Sequence, residues 1–247
     1  MLRRLPLPLA RSSLRSFIHP FSNSLAFRHY SYTPQINRHF TMSKRKHTEL
    51  ETPVYDPSHT FDKESKDFKP IVWIDCEMTG LDVFNDHIIE ICCIITDGDL
   101  NIIDEGYESV IHYDKEVMDT MNEWCVEHHG DSGLTKKVIE SEKTLETVER
   151  ELLEYLEKFT IKGSAVLGGN TVHMDRAFMM REMPKALEHL HYRIIDVSSI
   201  TEFGKRHNFN LIKKCPKKKE AHTARADILE SIAQLKWYRD NYFVQPE

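Results

Sequence analysis

The chain has 247 residues, of which 40% are hydrophobic and 29% charged, with a formal net charge of −6. That length supports one good-sized domain plus extensions, and no apolar run approaches the roughly 20 residues a spanning helix needs, so no membrane partner is expected. The charge is unevenly placed: residues 1–48 carry nine Lys or Arg and no Asp or Glu, leaving 24 basic and 39 acidic side chains in 49–247, a net of −15, which argues against a broad basic groove for long nucleic acid.

Residues 1–41 are rich in Arg, Ser, Leu and Phe and free of acids, the composition of a mitochondrial transit peptide. The run Arg28-His29-Tyr30-Ser31 looks like a matrix processing site cut after Tyr30. A secretory signal fits less well, because Pro6, Pro8 and Arg11 break the apolar core; a plain disordered tail is the alternative. Met42 opens a second basic segment, and translation from it would give a shorter form in the cytosol or nucleus. Residues 42–69 are polar and charged and read as a flexible linker, with the folded domain at 70–247. The five cysteines have no Cys-x-x-Cys spacing and read as small buried hydrophobes in a reducing compartment.

Within the domain, Ile71–Cys76 and the nearly continuous apolar run His87–Thr96 predict buried strands. Asp97-Gly98-Asp99 predicts a hairpin into a third strand near Ile102–Ile111. Helices are expected around Met118–His128 and Leu134–Ser141. Thr144 reads as an N-cap, after which Leu145, Val148, Leu152, Leu156 and Phe159 form one helical stripe. Ala165–Gly168 is a short strand leading through Gly169-Asn170-Thr171 into a helix with Asp175. Tyr192–Val197 is another strand, then a helix runs to about His207. A basic loop, residues 213–219, precedes a last helix from about Thr223 to Tyr242, whose inward positions are Ala224, Ile228, Ile232, Leu235 and Tyr242. Three strands followed by alternating helices and strands indicate an α/β domain, a mixed sheet flanked by helices.

Asp75 and Glu77 end the first strand and, two residues apart, project from one face. Adjacent carboxylates need a counter-charge, and Mg²⁺ and Mn²⁺ favour oxygen ligands. Asp175 and Asp227 sit among apolar neighbours on core-facing helix edges, where an unpaired carboxylate is costly. His222 stands five residues before Asp227 at the mouth of the last helix, and an imidazole suits a general base near neutral pH. Singly, each residue has a bland reading: a turn acid, a helix first-turn acid, or one of 14 histidines on the surface. Jointly they point to two-metal cleavage of a phosphodiester.

The pattern resembles the exonuclease superfamily with four acidic residues and a histidine base, and more closely the oligoribonucleases, in particular a mitochondrial fungal-type member. The resemblance runs through Trp73-Ile74-Asp75-Cys76-Glu77-Met78-Thr79-Gly80-Leu81-Asp82, Ile88-Ile89-Glu90-Ile91, Gly169-Asn170-Thr171, His191-Tyr192-Arg193 with Asp196-Val197-Ser198, and His222 with Asp227. The histidine branch is marked by the His-x-x-x-x-Asp spacing; a tyrosine branch would place Tyr where Thr223 stands.

What this resemblance implies is specific. The fold is ribonuclease-H-like. Asp75, Glu77, Asp175 and Asp227 bind two divalent cations, Mg²⁺ or Mn²⁺, and His222 is the base. The reaction is 3′→5′ hydrolysis of short RNA oligonucleotides, down to dinucleotides, to nucleoside 5′-monophosphates, by a homodimer. Leu81 and Trp124 match residues that contact bases, with core packing the alternative for Trp124. His129 matches a substrate-side histidine, the alternative being a solvated loop residue. Arg193, Thr171, Ser198 and Thr201 match a cap over the terminal 5′-phosphate, with Thr171 where the family commonly has Ser. Tyr192 matches a tyrosine donated across the dimer, its alternative a buried strand tyrosine.

Rival readings are a 3′→5′ exonuclease that trims longer RNAs or acts on DNA, a non-catalytic copy that binds nucleotides or a partner, and a metal-stabilised structural protein. The acidic body counts against the first, and the intact set of four acids and histidine against the second.

Overall fold

The computed structural model describes residues 50–218 and 223–243. The expected transit segment and the Met42 start lie outside the described residues, as does His222.

The β-branched and aromatic run after Pro70 forms β1 (Ile71–Met78), which pairs antiparallel with β2 (Ile88–Thr96). The expected turn closes β2: the Asp97 carboxylate accepts from the backbone N–H of Asp99 (2.9 Å) and Asn101 (2.8 Å). The third strand is shorter than its sequence suggests. It pairs at an isolated bridge between Thr96 and Ile102, breaks, and resumes as β3 (Tyr107–Val110), antiparallel to β2. The break includes Gly106, at φ 98°, a conformation that a side chain would strain.

The helix expected over 118–128 is likewise two pieces, α1 (Lys115–Met118) and α2 (Glu123–Asp131). Asn122 ends the first run by capping the second, accepting from Cys125 N at 3.0 Å. Next come α3 (Leu134–Glu140) and α4 (Leu145–Phe159), the latter capped as expected by Thr144, which accepts from Thr147 N at 3.2 Å. β4 (Val166–Gly169) leads into α5 (His173–Glu182), then α6 (Pro184–His189), opened by a proline at its first turn. β5 (His191–Asp196), α7 (Val197–His207), α8 (Phe209–Ile212) and α9 (Ala224–Asn241) complete the described chain.

The five strands lie in the order β3-β2-β1-β4-β5; β1, β4 and β5 pair parallel, and β2 is antiparallel to both of its neighbours, β1 and β3. Strand alternation divides the core between two faces. Val72, Ile74, Ile91, Cys93 and Ile95 pack with Val148, Leu152, Leu156 and Phe159 of α4 and Phe178 and Met179 of α5. Ile71, Trp73, Cys92 and Ile94 pack with Ile228, Ile232, Leu235 and Tyr238 of α9. A smaller cluster seats Met118, Cys125, Leu134 and Val138 against Ile89. Within the stretch expected as a linker, Phe61 stacks on Phe68 (ring centroids 5.2 Å apart) beside Phe159, and Tyr55 packs on the α9 side. No helix among the described residues is long and apolar enough to cross a membrane.

Leu152 is fully buried between α4 and the sheet. Leu152→Ala is expected to lower unfolding free energy by about 2–5 kcal/mol. Thr144→Ala, which removes only a cap, should cost about 1 kcal/mol. Urea denaturation of both variants measures the difference.

Candidate active site

The site forms where β1 outruns its neighbour. β4 pairs with β1 only from Ile71 to Trp73, so the end of β1 has no strand on that side. Asp175, buried in the first turn of α5, takes the vacant place: its Oδ1 accepts from Cys76 N at 2.9 Å. Close packing at the β4–α5 turn positions the helix. A Cβ on Gly168 would run into Ile71 and press on the Trp73 ring, and one on Gly169 would crowd Val172 and Ile74 O.

Asp75 and Glu77 continue the side of β1 that Ile71 and Trp73 turn toward α9. The first turn of α9 supplies Asp227. The two helices are tied by Asn170, whose Nδ2 donates to Ser231 Oγ (2.8 Å), while Ser231 donates to the carbonyl of Asp227 (2.7 Å). Lys218 Nζ reaches the same hydroxyl at 3.3 Å.

Electrostatics record the convergence of the four acids. Burial pushes the Asp75 carboxyl well above the usual range, and the charges of Asp175, Glu77 and Asp227 push it the same way, against Lys218. Burial raises Asp175 to about 7, with Glu77 adding to it and the Cys76 hydrogen bonds opposing. Among the described residues no group of three or more His, Cys, Asp or Glu side chains is closed enough to hold a metal ion as it stands. The donor chemistry nonetheless fits a hard divalent cation: every donor is a carboxylate oxygen, and Asp75 and Asp175 resist ionisation in their neighbours' company. Position 222, the expected base, falls outside the described residues, directly before the α9 N-cap Thr223.

A cleft of about 900 Å³ opens from Glu77 along β2, β3, α2 and α3 to the mouth of α9, with Glu90, Glu108, His129 and Arg225 among its walls. Glu90 stands directly opposite Glu77 across the β1–β2 pair. Burial raises its carboxyl, with Lys137 opposing and Glu77 adding. The sequence motif contains Glu90 but does not reveal this facing, because strand register is needed to see it.

Of the expected substrate contacts, Leu81 (73% exposed) and Trp124 (62% exposed) both face solvent. Trp124 stacks on His128 with ring centroids 4.3 Å apart and is not a core residue. His129 lies on α2 and is 3% exposed, not on a solvated loop; its Nε2 pairs with Met78 O at 2.9 Å, tying α2 to the end of β1. Tyr192 is 70% exposed on β5, between the His191 ring and the Arg193 guanidinium.

Two of the expected phosphate-cap residues, Thr171 and Ser198, meet at Asp196. Its Oδ1 accepts from Thr171 N (2.9 Å), Ser198 N (3.0 Å) and Ser198 Oγ (2.6 Å). Burial works against ionisation of Asp196, but these bonds and His173 hold its carboxyl below the usual range. Thr171 has φ 59°, a left-handed conformation that strains a β-branched residue. Thr201 is turned inward, its hydroxyl 2.7 Å from Tyr238 OH. The sequence reading missed Asp196 as the organiser, although its position two residues before Ser198 carries the N-cap signal.

Comparison with known proteins gives a consistent answer. A family model described as exonuclease matches residues 72–235, a span that contains all four acids. The mitochondrial oligoribonuclease of Saccharomyces cerevisiae is 61% identical over 198 residues, covering 77% of this chain and 74% of that protein. The probable oligoribonuclease of Dictyostelium discoideum is 50% identical over 78% of this chain and 98% of its own length. The human mitochondrial oligoribonuclease is 49% identical over 70% of this chain and 73% of its own.

Among solved structures, exonuclease I of E. coli in complex with a dA16 oligonucleotide superposes with a TM-score of 0.55 at 15% identity over 70% of this chain; the match spans only 41% of that longer chain. Cell-death related nuclease 4 gives 0.53 at 16% identity, over 70% of this chain and 64% of its own. These structures share the ribonuclease-H-like fold. Identity near half or above across most of two chains, on a model that spans the sheet and its acids, means that this chain belongs to the oligoribonuclease family.

Proposed function

We propose that this protein is a 3′→5′ exoribonuclease that hydrolyses short oligoribonucleotides, down to dinucleotides, to nucleoside 5′-monophosphates. The observation that carries the reading is the convergence of Asp75, Glu77, Asp175 and Asp227 at the free end of β1, in a chain similar throughout its domain to oligoribonucleases. The mitochondrion is its compartment, in keeping with the yeast and human relatives. The matrix is the expected site, and a form starting at Met42 would lie outside it.

The exonuclease family is metal-dependent. The four carboxylates are the side chains that would hold two Mg²⁺ or Mn²⁺ ions. When bound, such a pair supplies positive charge at the attacking and leaving oxygens of an in-line displacement. The protein's own groups do the rest. Asp175, fixed by Cys76 N–H, holds its carboxylate toward β1. His222 takes the proton of the attacking water. The new bond joins that water oxygen to phosphorus, the bond from phosphorus to the 3′-oxygen breaks, and the departing oxygen is protonated.

Leu81 and Trp124, both exposed, offer apolar surface to bases, which suits sequence-independent hydrolysis. Arg193, Thr171, Ser198 and Thr201 cap the 5′-phosphate of a dinucleotide, with Thr171 and Ser198 held in place by Asp196, and His129 supports the substrate side through the β1 end. Dimerisation through the outer edge of β5 would bring Tyr192 to the partner's site; its exposure on an edge strand supports this.

Asp227→Ala and His222→Ala should each lower dinucleotide turnover by about a thousandfold or more while circular dichroism and oligomeric state stay as in the parent. Substantial turnover by either would remove its assigned role. Arg193→Ala should cut hydrolysis of 5′-phosphorylated dinucleotides by about tenfold or more, since a charge-assisted bidentate contact is lost, with a smaller effect on a ten-nucleotide RNA; equal losses would remove the phosphate cap.

The raised carboxyls also set a pH dependence. Asp175 binds its proton more tightly folded (about 7) than unfolded (about 3.9). The native state therefore holds more protons between those values, and metal-free stability falls as pH rises from about 4 through about 7. Thermal melts in a chelator should show this decline. Mg²⁺ should reverse it by binding the ionised form, and Asp175→Asn should flatten it.

A further inference from the structure

We propose that Arg181 and Glu182, at the far end of the helix that carries Asp175, are positioning residues: they aim the loop after β1 so that Leu81 meets the substrate's second base. The proposal rests on the reading of Leu81 as a base contact.

The loop is stiff within itself. Thr79 N donates to His87 O at 3.0 Å, closing its base. The Asp86 carboxylate accepts from Thr79 Oγ1 (2.9 Å) and Asp82 N (2.8 Å), and the Asp82 carboxylate from Phe84 N (2.9 Å) and Asn85 Nδ2 (2.7 Å). A Cβ on Gly80 would collide with the Asp86 carboxylate, so glycine is needed for this brace to close. These bonds fix the loop's shape. Leu81, 73% exposed, is held by none of them through its side chain.

Its direction is set from outside. Arg181 Nη1 donates to Val83 O and Nη2 to Asp86 O, so one guanidinium grips two carbonyls of the loop. Nη2 also reaches Glu182 Oε1 at 2.7 Å. The Glu182 carboxylate, itself buried, accepts from Ile88 N at 2.8 Å and pairs with His87 Nδ1 at 2.7 Å, which pins the loop's return to β2. The Arg181 guanidinium lies 5.6 Å from the centre of the Phe178 ring, part of the core under α5.

The same helix therefore holds a carboxylate of the acidic cluster at one end and the base-facing loop at the other, six residues or about 9 Å along its axis. Such a rigid link fixes the distance between the reacting phosphate and the neighbouring base. A purely stabilising clip would make no distinction between substrates with one base and two.

Kinetics on the full chain with Mn²⁺ separate these cases. A ribodinucleotide is compared with the p-nitrophenyl ester of a nucleoside 5′-monophosphate, which presents a phosphodiester without a second base. Arg181→Ala should raise KM for the dinucleotide about tenfold, with kcat and the ester reaction changing much less. Leu81→Ala, run alongside, should shift the same ratio. If Leu81→Ala shifts the ratio and Arg181→Ala lowers both substrates equally, or neither, the positioning role is overturned and the base contact stands. If Leu81→Ala leaves the ratio as in the parent, the base contact falls and the proposal with it. Should Arg181→Ala fail to fold, Arg181→Lys, which keeps stem and charge but cannot grip both carbonyls, is read by the same ratio.

Discussion

A single hydrogen bond organises the working end of this protein. β1 continues beyond β4, leaving Cys76 N–H without a strand partner, and Asp175 fills that gap from the first turn of α5. The bond satisfies a buried donor that would otherwise cost free energy. In doing so it sets a third carboxylate beside Asp75 and Glu77, where burial and like charge both resist ionisation. The backbone's need for an acceptor and the site's need for acids meet in one side chain.

The surroundings read as ways of holding that arrangement. Asn170 and Ser231 join the start of α5 to the first turns of α9, so Asp227 approaches from the opposite helix. Small residues at 168 and 169 let the β4–α5 turn lie against β1. His129 fixes α2 to Met78 O just past Glu77, and the far end of α5 grips the loop after β1. Each contact is ordinary. Together they hold the acids, α2 and the loop that follows β1 in place around one strand end.

Much of the fold was legible because its signals are local. Continuous apolar runs predicted β1 and β2, period-3.6 stripes predicted α4 and α9, and the cap Thr144 acts where it was expected. The misses have local causes of another kind. Gly106 interrupts the third strand, and Asn122 prefers a cap to a helix interior, which splits the segment before Trp124. The packing of Phe61 and Phe68 on Phe159 was also hidden, because a polar average over 42–69 masks a few aromatic anchors.

For the site, the sequence by itself determined which side chains are available: four acids with apolar neighbours, a histidine five residues before the last of them, and a motif shared with oligoribonucleases. It also determined that Asp75 and Glu77 share a face, since alternation along a strand is a property of the backbone. Only tertiary structure decided that Asp175 accepts from Cys76, that Glu90 faces Glu77, that His129 is a buried tether, and that Arg181 reaches across 95 positions to Asp86. The physical reason is range. Propensity and periodicity act over a few residues, whereas hydrogen-bond satisfaction and charge pairing are settled between segments that become neighbours only once the sheet has closed.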